Sequence, residues 1–166
     1  MVKTERLILK PISESDEKVI YDLFTDSIVK KTYILPDFES YEQYSKYFQK
    51  LLNISNSSER YFWGIYLENS GELMGIINDT GLEKYEVAEL GYALLPKYHN
   101  KGYATEALGG MIKYLKELGY KKIKTGAFEV NGASMRVMEK CKMTRNGETE
   151  TYTYRGTEHN VIYYII

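Results

Sequence analysis

The run from Glu86 to Val130 constrains the fold of this chain more than any other. It begins with "EVAELGYALL", an apolar strand-like segment that stops at Pro96. A basic loop holding one glycine, "PKYHNKGY", comes next. Ala104, Ala107, Leu108, Met111, Ile112, Leu115 and Leu118 then mark one helical stripe, ended by Gly119. "KKIKTGAFEV" reads as a further strand. Strand, helix and strand joined this closely form a crossover-connected centre, so the fold is α/β.

The flanking segments fit around that centre. "RLILKPI" is a strand stopped by Pro11, and Ser13 with Asp16 is a capping box for a helix running through Leu23. Ser40 with Gln43 opens a second helix whose buried face is Tyr44, Tyr47, Phe48, Leu51 and Leu52; the polar "NISNSSE" ends it. "RYFWGIYL" and "GELMGIIN" form a hairpin across Glu68 to Gly71. "GASMRVMEK" is a short helix, and strands at Thr149 to Tyr154 and Val161 to Ile166 close the chain. At 166 residues this makes a single α/β (α+β) domain, residues 1–166, with a hairpin-rich first half.

Composition removes several functions. Twenty-two Lys and Arg against 23 Asp and Glu leave a net charge of −1, which gives no support to bulk nucleic-acid or membrane-surface binding. One cysteine, Cys141, forms no internal disulfide and reads as an apolar filler; with only two histidines beside it, no metal site is expected. The N-terminal apolar run is shorter than a signal peptide and no span is long enough to cross a membrane, so the expected location is the cytoplasm.

The loop at Gly102 joins a strand end to a helix start, where free amides and the positive end of the helix dipole point outward. Glycine allows close backbone approach, and Lys97 and Lys101 add charge, so a phosphate or pyrophosphate fits; a simple tight turn with solvated lysines fits as well. Neither a P-loop nor a dinucleotide fingerprint is present, which disfavours a nucleotide triphosphatase.

"HNKGYA", His99 to Ala104, resembles the acetyl-CoA pyrophosphate-binding signature of the GCN5-related N-acetyltransferase (GNAT) family: Gln or Arg, two residues, Gly, one residue, then Gly or Ala. Gly102 and Ala104 match, while His99 departs from the first position. "TERLILKPISESD", "ELGYALLPKYHNKGYATEAL" and "NGASMRVMEKCKM" are similar to blocks of the subgroup containing the ribosomal-protein N-terminal alanine acetyltransferases. The resemblance implies a mixed, mostly antiparallel central sheet flanked by about four helices. It also implies that the sheet splays between the strand ending near Leu95 and the strand at Ile123 to Phe128. Acetyl-CoA would lie in that cleft without a metal. Its pantetheine arm would run along Tyr92, Ala93, Leu94 and Leu95, and its pyrophosphate would sit at His99, Asn100, Lys101, Gly102, Tyr103, Ala104 and Thr105. Asn131 and Ser134 on the following helix would also contact it.

Acetyl transfer to an amine needs a proton acceptor for the amine and a donor for the departing sulfur. Glu89, on one strand face with Gly91 and Ala93, is the leading base; it also suits a structural or substrate-binding carboxylate. Glu148, Glu150 and His159 are weaker candidates. Where many family members carry a tyrosine, this chain has Met138, which has no proton to give, so the resemblance points to Ser134, as in the ribosomal-protein subgroup. Ser134 also fits a helix-start cap, with solvent protonating the sulfur. Lys142 replaces the family glycine after the helix, and Arg136 and Lys140 are candidates for the 3′-phosphate. An acidic rim of Asp37, Glu39, Glu42 and Glu89 would suit a cationic acceptor: a protein N-terminus, a polyamine or an amino-sugar. A non-catalytic acyl-CoA sensor and a tyrosine-rich protein-interaction module remain the alternatives, and monomer and homodimer are equally open.

Overall fold

The computed structural model describes residues 1–166. Eight strands form one sheet: β1 (Val2–Lys3), β2 (Leu7–Pro11), β3 (Phe62–Leu67), β4 (Leu73–Glu83), β5 (Val87–Leu94), β6 (Lys122–Phe128), β7 (Thr144–Tyr154) and β8 (Thr157–Ile165). Their spatial order is β1-β2-β3-β4-β5-β6-β8-β7. Four helices cover it: α1 (Glu17–Thr25), α2 (Tyr41–Ser55), α3 (Tyr103–Glu117) and α4 (Gly132–Lys140). Every strand pair is antiparallel except β5 with β6, the two joined by the α3 crossover.

The central strands are buried on both faces, and strand alternation divides the core in two. Leu7, Leu9, Ile65, Leu90 and Ile123 pack with Leu108, Met111 and Leu115 of α3 and Met138 of α4. Ile12, Phe62, Ile76 and Ala93 pack on the opposite face with Ile20 and Leu23 of α1 and Tyr44 and Phe48 of α2. The sheet thus forms the middle of three layers, and any passage between strands connects its two helical faces.

One such passage exists. β5 and β6 are in register from Val87 opposite Lys122 to Leu90 opposite Thr125, and there the pairing stops, although the strands run on to Leu94 and Phe128. Thr125 Oγ1 donates to the Leu90 carbonyl at 2.6 Å and closes the last rung. Beyond it β5 still pairs with β4 as far as Leu94, and β6 with β8 as far as Phe128 opposite Val161, so the gap opens between two supported edges.

Local signals explain most boundaries. The Asp16 carboxylate accepts from the Ser13 amide at 2.7 Å and the Ser13 hydroxyl at 2.8 Å, and a short 3₁₀ turn there leads into α1. Ser40 Oγ accepts from the Gln43 amide at the start of α2. That helix runs to Ser55 rather than Leu52. The buried Ser55 hydroxyl accepts from the Ile12 amide and donates to the Phe62 carbonyl, and this link between elements outweighs the polar sequence. β7 and β8 are longer than expected. Their turn places Arg155 and Gly156 at φ 51° and 75°, and Gly147, at φ 80°, lies in a bulge that reads locally as a break.

Candidate active site

Where β5 and β6 part there is a cleft of about 540 Å³. Its walls include Tyr92, Ala93 and Leu94 of β5, Gly126 of β6, and Ala133, Ser134 and Val137 of α4. His99, Asn100, Gly102, Tyr103, Ala104 and Thr105 close one end, and Tyr33 with residues of the α1–α2 connection stands at the other. Of the expected binding residues only Leu95 and Lys101 fall outside this lining. Leu95 packs against both cores and donates its amide to Met74, while the Lys101 carbonyl turns away to Arg6.

The loop before α3 is built to present amides. None of the N–H groups from Asn100 to Thr105 meets an acceptor within the protein; the first α3 bond runs from Glu106 N–H to the Gly102 carbonyl. Gly102 lies at φ 82°, left-handed space that glycine enters freely, and Asn100, at φ 59°, is a residue type that tolerates it. The ring of His99 meets the Leu94 carbonyl through Nε2 at 2.8 Å and ties the loop to the end of β5.

Support for the loop comes from the distant N-terminus. Glu106, in the first turn of α3, accepts from Thr4 Oγ1 at 2.6 Å and from the Arg6 amide and Nε, both at 2.7 Å. Arg6 Nη1 then donates to the Lys101 carbonyl at 3.1 Å. Burial alone would raise the Glu106 carboxyl; the hydrogen bonds from Thr4 and Arg6 outweigh it and hold the group below its usual value. No short-range pattern links residues a hundred positions apart, so the sequence offered no signal for this clamp.

One charge at the loop differs from expectation. Lys97 is taken by Glu72 at 2.8 Å. Lys101 has no ion-pair partner, and Arg136 and Lys140, the 3′-phosphate candidates on the exposed side of α4 at the cleft wall, make none either. Free amides, a helix N-terminus and unpaired cations make this end of the cleft suited to a polyanion.

Asn131 caps α4, its side-chain oxygen accepting from the Ser134 amide at 3.2 Å. The Ser134 hydroxyl is therefore not used as a cap, and it lies 2.7 Å from Tyr92 Oη. Burial pushes the Tyr92 phenol well above its usual range, against the opposing bond from Ser134, so it keeps its proton at neutral pH. The two hydroxyls meet because α4 lies over β5, a pairing that no pattern along the chain reveals. Met138 is fully buried in the core, so its lack of a proton leaves no gap in the cleft wall. Lys142, at φ 61°, lies in left-handed space that a glycine would enter without strain. Cys141 is half-buried; burial lifts its thiol to about 11, against an opposing backbone bond from Gly109.

Glu89 stands outside the cleft lining. It accepts from Thr80 Oγ1 at 3.0 Å and faces Lys124 at 3.5 Å. Thr80 is the extra residue of a bulge in β4, and its methyl group lies beside Gly91, which lines the cleft. Lys124 also holds Glu148, and Glu150 accepts from Tyr163 Oη at 2.8 Å. Opposite Gly91, Tyr33 donates to Asn78 Oδ1. No helix is long and apolar enough to cross a membrane.

The chain matches the acetyltransferase (GNAT) domain family over residues 6–144. It is 30% identical over its whole length to the uncharacterized N-acetyltransferase YoaA of Bacillus subtilis, 96% of which is covered. A GNAT-family acetyltransferase of Bacillus anthracis superposes with a TM-score of 0.85 at 27% identity, over 99% of this chain and 96% of that one. The ribosomal-protein-S5-alanine acetyltransferase of Vibrio fischeri shares the fold, with a TM-score of 0.83 at 17% identity over 99% and 94% of the two chains. A splayed sheet, a glycine-turned amide loop and similarity along the whole chain converge on one conclusion: this protein belongs to the GNAT family of N-acetyltransferases.

Proposed function

We propose that the protein transfers an acetyl group from acetyl-CoA to a primary amine, and that the observation carrying this reading is the run of unpaired amides from Asn100 to Thr105 at the end of the cleft. These amides would hold the pyrophosphate, with Arg136 and Lys140 beside it for the 3′-phosphate. The edge of β5 from Gly91 to Leu94, unpaired toward β6, would take the pantetheine arm as an added strand. Bound there, acetyl-CoA supplies an acetyl group activated as a thioester.

The reaction makes one N–C bond and breaks one C–S bond, moving one proton off the amine and one onto the sulfur. Ser134 Oγ would give the latter. Tyr92 Oη and Ser134 Oγ lie 2.7 Å apart, and with the buried phenol as donor to Ser134 Oγ the serine's own proton would be free to face the cleft. Glu89 is set back from the cleft wall and would take the amine proton through water, its charge balanced by Lys124. Ala93 and Leu94 exclude solvent along the β5 side.

Thiol release from acetyl-CoA, followed over a panel of peptides and small amines with mass detection of the acetylated product, tests the reading. Amine-dependent release that Ser134→Ala reduces supports it. Tight acetyl-CoA binding without release for any amine would favour a sensor instead.

A further inference from the structure

The cleft opens through the sheet, and an acetyl-CoA held at the α3–α4 side leaves the acceptor only the opposite mouth, past Tyr33 and the α1–α2 connection. Beside that mouth lies a second cleft of about 380 Å³ between the connection and the β7–β8 turn. Lys30, Lys31, Arg155 and His159 line it with the hydroxyl residues Thr25 and Thr157, and no carboxylate is among its walls. Lys31 lines both clefts.

These side chains are placed by the fold. Tyr154 Oη accepts from the Leu35 amide at 3.3 Å and donates to the Tyr33 carbonyl at 3.2 Å, binding the β7–β8 hairpin to the segment that walls the main cleft. His159 is stacked on Phe128, 4.2 Å between ring centres. Lys30 and Arg155 share one exposed carboxylate, Asp37, at 2.6 and 2.7 Å, and Lys31 has no ion-pair partner. The lining itself carries Lys30, Lys31 and Arg155 and no carboxylate, while Asp26 and Glu158 adjoin it in the chain. Of the four carboxylates in the expected acidic rim, Asp37 is held by these cations, Glu89 by Lys124 and Glu42 by Lys46, which leaves Glu39 alone without an ion pair. A polyamine approaching this mouth would meet lysine and arginine rather than free carboxylate.

We infer that the second cleft is an anionic subsite for the acceptor, so that the substrate is an amine carrying a carboxylate close to the reacting nitrogen: a peptide N-terminus followed by Asp or Glu, or a free acidic amino acid. The amine would pass Tyr33 into the main cleft while the carboxylate rests among Lys30, Lys31 and Arg155. This rests on the acetyl-transfer reading above and narrows it.

The test uses two peptides alike except for Asp-Glu or Lys-Lys after an N-terminal serine, with free glutamate and spermidine as further arms. Each is measured for thiol release and, independently, for binding by calorimetry. Charges at the rim act through encounter and orientation, so the acidic peptide should exceed the basic one in kcat/KM by about tenfold at low salt, the ratio shrinking as salt rises. Lys31→Glu, shown by its unfolding midpoint to be folded, should reverse the order of the two peptides. Equal or better turnover and binding of the basic peptide or spermidine would overturn the inference. Release with none of the amines would refute acetyl transfer instead, and the binding order would then still decide the subsite. Glutamate as good as the acidic peptide would assign the site to the free amino acid.

Discussion

Two glycines at the ends of α3 separate what the loop does for the fold from what it does for a ligand. Gly102 and Gly119 both hold left-handed backbone, at φ 82° and 98°. A Cβ on Gly102 would meet the flexible Arg6 guanidinium at 3.3 Å, and one on Gly119 would find nothing nearer than Tyr85 at 4.0 Å. Neither contact is severe, so replacement by alanine costs mainly the backbone conformation, about 1–2 kcal/mol at each site. For a domain of this size that lowers the unfolding midpoint by roughly 2–4 °C per kcal/mol, similarly in the two variants. Only Gly102 lies where the free amides converge. Twisting that turn misaims charge-assisted bonds worth about 1.5–3 kcal/mol each, so Gly102→Ala should weaken acetyl-CoA binding by about tenfold to a hundredfold while Gly119→Ala leaves it unchanged. Calorimetric titration of both proteins with acetyl-CoA reads this directly. Wild-type affinity in Gly102→Ala, alongside the expected loss of stability, would refute the assignment of the loop as the pyrophosphate site.

Further outcomes follow from other parts of the structure. Ser134→Ala and Tyr92→Phe should each lower kcat at least tenfold with little change in acetyl-CoA affinity, and the double variant should be no slower than the slower single one, because both hydroxyls serve one proton; additive losses in thiol-release kinetics would disprove the pairing. Glu89→Gln should lower kcat at least tenfold with little change in acetyl-CoA affinity, and unchanged turnover would remove Glu89 as proton acceptor. Lys142→Gly should raise the unfolding midpoint by roughly 1–4 °C, because relief of left-handed strain exceeds the entropy cost of glycine by about 0.5–1 kcal/mol; a lowered midpoint would contradict it. The Glu106 carboxyl sits below its unfolded value of 4.5, so its stabilisation is complete above that pH and is lost as pH falls through the lowered value. Denaturant melts of wild type and Glu106→Gln should therefore converge in acid, and a constant difference would show that the Thr4–Arg6 clamp does not depend on the charge.

The parts of this molecule that could be read from sequence are those whose cause is local. The α3 stripe, the Ser13 and Ser40 caps and the turn at Gly102 depend on residues within a few positions of each other, and each is found where the pattern places it. What escaped depends on distant partners. Glu106 meets Thr4 and Arg6 across the whole first half of the chain, and Tyr92 meets Ser134 only because α4 lies over β5. Lys97 shows the same limit: a charge read along the chain does not reveal the counter-charge folded against it, here Glu72. Exposed strand residues such as Glu158 and Asn160 pair through their backbone, so a hydrophobic pattern cannot find them.

Thermal unfolding with increasing acetyl-CoA tests the central claim most directly. A ligand at about one hundred times its dissociation constant adds roughly 2.7 kcal/mol to the folded state. The midpoint should then rise by about 5–11 °C and keep climbing with the logarithm of ligand concentration, with Arg136→Glu or Lys140→Glu blunting the rise. No rise at millimolar acetyl-CoA would contradict the claim that the amides of Asn100 to Thr105 and the parted edge of β5 together form an acetyl-CoA site.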